Sequence, residues 1–87
     1  MEIKILEDSK NEIKLELENL TIAEILRVYL NKDSSVDFVA WKTEHPIKNP
    51  VLKVKTSGKT AKKAVKDAIN SITKDLKKIE NDFSKLK

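Results

Sequence analysis

The last third of the chain sets the strongest limit on its fold. From Thr60 to Lys87 the apolar residues Val65, Ile69, Ile72, Leu76, Ile79, Phe83 and Leu86 recur in alternating steps of four and three. That spacing is a heptad seam and predicts one continuous helix. At about 1.5 Å per residue, the helix would be a rod of roughly 40 Å. A globule of 87 residues has an expected radius of gyration near ~12 Å, hence a diameter of about 30 Å. About two turns of apolar seam should therefore overhang the rest of the fold, where a second chain would have to cover them.

The helix also changes character along its length. Ala61, Ala64, Val65, Ala68, Ile69 and Ile72 form a broad stripe whose small members permit close packing on a sheet. Leu76, Ile79, Phe83 and Leu86 form a thinner seam, suited to another helix. A division of labour at about Ile72 is expected.

Upstream, Ile3 and Ile5 alternate with charges, as do Ile13, Leu15 and Leu17 beyond the polar break Glu7–Asn11. The two runs read as a hairpin with one apolar face and one solvated face. A first helix follows, with Thr21 as its cap, Glu24 completing a capping box, and Leu20 with Ile25 as a staple. Its predicted buried stripe is Ile22, Ile25, Leu26, Tyr29 and Leu30. Val36–Lys42 is a third strand with Val36, Phe38 and Ala40 on one face and Val39 and Trp41 on the other. Pro46 and Pro50 bar regular pairing in the connection from Thr43 to Pro50. Val51–Thr56 is a fourth strand, Ser57-Gly58-Lys59 turns the chain, and Thr60 can cap the long helix. The order ββαββα predicts an α+β fold: a four-stranded antiparallel sheet with two helices on one face, a single domain over residues 1–87.

Composition removes several function classes. There is no cysteine, so disulfides and thiolate metal sites are out, and a reducing interior is permitted. The opening Met1–Ile5 lacks the basic-then-apolar pattern of a secretion signal, and no apolar run approaches the ~20 residues of a membrane span. A cytoplasmic location is expected. The net charge of +4 is uneven: residues 59–87 hold nine Lys against four acids, and residues 1–58 hold nine Lys or Arg against ten. The basic surplus falls on the terminal helix, among positions flanking the seam, where it is a solvated face or an attractor of nucleic acid or acidic protein.

Catalytic chemistry is scarce. His45 is the only histidine, and the single glycine, Gly58, rules out a phosphate loop or dinucleotide fingerprint. No catalytic residue, metal ligand or cofactor site is predicted. Glu7, Asp8, Glu12, Glu16 and Glu18 fall on expected strand edges and turns. Trp41, His45 and Pro46 form a candidate contact loop, since Pro46 stiffens it and restricts His45 to extended conformations. Four aromatics in all are too few for a base-stacking platform.

Three motifs in order resemble a known family. Leu20-Thr21-Ile22-Ala23-Glu24-Ile25-Leu26 is similar to the His-Thr-Leu-Gly-Asn-Leu-Leu helix opening of the small alpha-like subunits of archaeal and eukaryotic RNA polymerases. Val36-x-Phe38-x-x-Trp41-x-x-x-His45-Pro46-Ile47 resembles their Val-x-Phe-x-x-Tyr-x-x-x-His-Pro-Leu stretch at the same distance. Leu52-x-Val54-x-Thr56, Thr60 and Ala64-x-x-x-Ala68 resemble their final strand and dimer helix, and the archaeal L-type pattern fits best. Leu20, Glu24 and Trp41 depart from the family His, Asn and Tyr. The resemblance implies a non-catalytic assembly subunit of a DNA-directed RNA polymerase, related to the dimerisation domain of bacterial alpha. Such a subunit forms a heterodimer with the larger, D-type alpha-like subunit. The pair is a platform for the large catalytic subunits and small zinc-binding subunits. The resemblance also implies an interface from both helices. On the long helix the expected seam is Ile69, Ile72, Leu76, Ile79 and Phe83, with Ile22, Leu26 and Leu30 contributing from the first helix. The alternatives from composition are a stand-alone basic nucleic-acid-binding module and a homodimeric structural module.

Overall fold

Ile13, Leu15 and Leu17 are almost completely buried, while the residues between them are only partly so. This alternation makes Glu12–Leu17 (β2) a strand with one core face. A computed structural model describes residues 3–43 and 48–85. The other elements are β1 (Ile3–Asp8), α1 (Leu20–Asn31), β3 (Val36–Thr43), β4 (Pro50–Thr56) and α2 (Ala61–Ser84). The sheet order is β1-β2-β4-β3, with every neighbouring pair antiparallel. In the central pair, Ile13 lies opposite Val54 and Leu15 opposite Leu52. Those residues meet Ala23, Leu26 and Leu30 of α1 and Ala61, Ala64, Val65 and Ala68 of α2 in one core. Both helices thus cover the same face, and the molecule measures 47 × 32 × 16 Å.

Several local expectations need correction. The cap of α1 is Asn19, whose Oδ1 accepts from the Ile22 amide at 2.9 Å. Thr21 instead lies inside the helix, because the stronger capping residue two positions earlier starts it sooner. Glu24 then falls beyond capping-box reach, and both members of the supposed staple, Leu20 and Ile25, are exposed. β1 runs to Asp8 rather than stopping before Glu7, with a register shift between Ile5 and Glu7. A second shift, between Val36 and Phe38, inserts one extra residue in β3. Val36 therefore joins Val39 and Trp41 against the core, while Phe38 and Ala40 share the opposite face. Pro50 pairs with Thr43 as the first residue of β4, where its missing amide is tolerated.

The start of α2 is tied down from several directions. Thr60 caps it by accepting from the Lys63 amide. The Ala61 amide donates to the Lys10 carbonyl of the β1–β2 turn, and the Thr56 amide donates to the Asn11 carbonyl. Gly58 supplies the left-handed backbone, φ +92°, that the preceding turn needs. Lys59 Nζ reaches Asp33 Oδ2 at 2.7 Å and Asp67 Oδ2 at 2.8 Å, bridging the α1–β3 turn to the second turn of α2. Lys59 holds both carboxyls below their usual range, and they in turn raise Lys59.

The cap assignment predicts that Asn19→Ala costs about 0.5–2 kcal/mol of stability, whereas Thr21→Ala is close to neutral in the same denaturant titration. The Lys59 bridge gives a pH prediction. With Asp33 and Asp67 depressed, its contribution is present above the unfolded aspartate pKa of about 3.9 and is lost as pH falls through the folded values. With Lys59 raised, the contribution also persists up to the unfolded lysine pKa of about 10.4 and is lost as pH rises through the folded value. Thermal melts should show Lys59→Met less stable than the parent at neutral pH, with the gap closing in acid. A gap of constant size down to about pH 2 would contradict the assignment.

Candidate partner interface

Along α2 the apolar residues pass from core to water in sequence order. Ala61, Ala64, Val65 and Ala68 are buried, and Ile69 and Ile72 are half-buried against the core. Leu76, Ile79 and Phe83 are 60%, 63% and 75% exposed. A helix of 24 residues is about 36 Å long, longer than the 32 Å second dimension of the molecule. The exposure of these three residues shows that the distal half carries its seam beyond the chain's own core, with nothing of its own chain to cover it among the described residues.

The first helix extends this apolar surface. Ile22 and Ile25 of α1 and Ile69, Ile72 and Leu76 of α2 line a depression of about 220 Å³, with Leu26 among its walls. Ile25, which helical spacing assigns to the core, is 40% exposed and belongs to this surface instead. A single sheet cannot bury the full width of the stripe from Ile22 to Leu30, so one edge of it is left outside. Leu30 is fully buried in the chain's own core, which removes it from the expected partner surface. Leu26 is nearly as buried and can offer a partner little more than a wall.

Polar side chains hold the two helices and β3 in place around this surface. Tyr29 Oη donates to Asp75 Oδ2 at 2.7 Å, tying α1 to α2 just beyond Ile72, and this bond raises the Tyr29 pKa. Lys32 Nζ lies 4.7 Å from the centre of the same ring. Glu24 accepts from Arg27 Nε and Nη2 at 3.1 and 3.0 Å and also from the Trp41 indole. Arg27 first, then Trp41, holds the Glu24 carboxyl below its usual range. Trp41 is therefore a half-buried strand residue that locks β3 to α1. His45 and Pro46 lie outside the described residues.

Residues 10–82 match the family described as the RNA polymerase Rpb3/Rpb11 dimerisation domain. The chain belongs to this family. Among similar proteins, the DNA-directed RNA polymerase subunit Rpo11 of Pyrococcus horikoshii is 35% identical, over 99% of this chain and 97% of that protein. Rpo11 of Pyrobaculum aerophilum is 32% identical, over 95% of this chain and 91% of its own length. The crystal structure of DNA-directed RNA polymerase subunit L from Thermoplasma acidophilum superposes with a TM-score of 0.85 at 26% identity, covering 97% of this chain and 86% of that one. Family membership agrees with the ββαββα order and favours an assembly subunit over a stand-alone nucleic-acid module. No helix among the described residues is long and apolar enough to cross a membrane.

The division between core and seam can be measured on the isolated chain. Leu26→Ala should cost about 2–5 kcal/mol by emptying a buried site. Leu76→Ala and Ile79→Ala should each stay within about 0.5 kcal/mol of the parent, since exposed side chains contribute little to stability.

Proposed function

We propose that this chain is a non-catalytic assembly subunit of a multisubunit DNA-directed RNA polymerase, and that it pairs through the seam with the larger, D-type alpha-like subunit. The pair then serves as a cytoplasmic platform for the large catalytic subunits and the small zinc-binding subunits. The observation that carries this reading is the continuity of α2, whose stripe leaves the core at Ile72 and goes on, apolar and exposed, to Phe83.

Energetics indicate how much surface the partner must cover. Burying a large apolar side chain is worth about 1.5–3 kcal/mol, so Leu76, Ile79 and Phe83 together supply about 5–9 kcal/mol in gross terms. Association costs are of the same order, about 4–15 kcal/mol. The tip of α2 alone thus leaves little surplus, and filling the depression formed by Ile22, Ile25, Ile69 and Ile72 adds to it. In this reading the interface spans both helices.

Co-expression with the larger alpha-like subunit tests the proposal. Leu76→Asp or Phe83→Asp should abolish co-purification while the circular dichroism of the isolated chain stays that of the parent. Retention of the partner by both variants would refute the pairing surface.

A further inference from the structure

The charges beside the exposed seam have the opposite sign to the helix that carries them. At about 100° per residue, the seam residues Ile72, Leu76, Ile79 and Phe83 share one face of α2. Among the described residues of this distal half, the charged positions within about a quarter-turn of its midline are Asp75, Glu80 and Asp82. Lys74, Lys77, Lys78 and Lys85 all lie more than about a third of a turn away, on the back of the helix. The basic surplus expected beside the seam is therefore behind it. Asp75 is engaged by Tyr29. Glu80 and Asp82 are exposed, and no Lys or Arg among the described residues forms a salt bridge with either.

We infer that this acidic rim selects the partner: a second, different chain whose apolar helical surface is flanked by Lys or Arg. The inference rests on the pairing surface proposed above and adds its charge specificity. Rim charges flanking an apolar seam set partner choice and orientation in paired helices, and like charges brought face to face disfavour a pairing. A second copy of this chain would bring a carboxylate-flanked seam against a carboxylate-flanked seam, whether the helices ran parallel or antiparallel. A basic-flanked partner turns the same carboxylates into attraction, which also speeds its encounter at low salt. The lysines on the back of α2 do not cancel the effect, since they point away from the contact.

The test is a binding titration of the full chain against the larger alpha-like subunit at low and high ionic strength, using the parent, Glu80→Lys/Asp82→Lys, Glu80→Gln/Asp82→Asn and Leu76→Asp. The inference expects at least a tenfold loss of affinity for the double lysine variant at low salt, a smaller loss for the amide variant, and convergence with the parent at high salt. It also expects a mixture of the parent and the double lysine variant to form a dimer in sedimentation at lower concentration than either chain alone. If both rim variants bind like the parent at low salt while Leu76→Asp does not bind, the rim has no selective role and the seam stands without it. If Leu76→Asp also binds like the parent, the pairing surface itself is wrong and the inference falls with it.

Discussion

The structure depends on how closely the first half of α2 approaches the sheet. Ala61, Ala64 and Ala68 share one core with Ile13, Leu15, Leu52 and Val54, and side chains of a single methyl group let a helix backbone settle low over strands. The Lys59 bridge and the amide of Ala61 fix where that helix begins. With the start fixed and the first three turns seated, the direction of the remaining turns is no longer free. The exposed seam beyond Ile72 follows from an anchor at one end and a heptad pattern that continues past the last residue the sheet can cover.

This one-ended anchoring gives the chain two different surfaces from one amphipathic helix. Near the sheet the stripe is broad and made of small residues, and its burial serves the stability of the chain itself. Farther out it is narrow and made of large residues, and in isolation it adds almost nothing to folding. A small chain of this kind buries only about 60–65% of its unfolded surface, so its own stability is modest and coverage of the outer seam would raise it. The Tyr29–Asp75 bond sits at the boundary between the two regimes. It is a polar contact where apolar packing between the helices is giving out.

Most of the architecture is legible in the sequence because it follows from periodicity. Two-residue alternation locates β2 and β4, and the four-three spacing locates α2 and its passage from core to solvent at Ile72. The errors lie where one residue decides. Asn19 and Thr21 are both capping residues two positions apart, and spacing alone does not rank them. The extra residue in β3 moves Val36 to the opposite face from the one strict alternation assigns. Leu30 is buried as its stripe predicts while Ile25 of the same stripe is exposed, because a helical stripe does not reveal which of its edges meets the sheet. Charge on α2 is misplaced for a related reason. A sum over residues 59–87 says how basic the segment is, but only the angle around the axis says which side carries each sign.

The seated half of α2, about eleven residues, and its projecting half, about twelve, are nearly equal in length, about 17 and 18 Å. The helix therefore behaves as a lever with its pivot at Ala61. A displacement of about 1 Å at Ile72 carries the tip through roughly twice that distance. The volumes of Ala64 and Ala68, both buried in the chain's own core, thus set the angle at which the seam is presented. Enlarging either one would re-aim the projecting half, and would change the direction in which Leu76, Ile79 and Phe83 are presented without changing any of those residues.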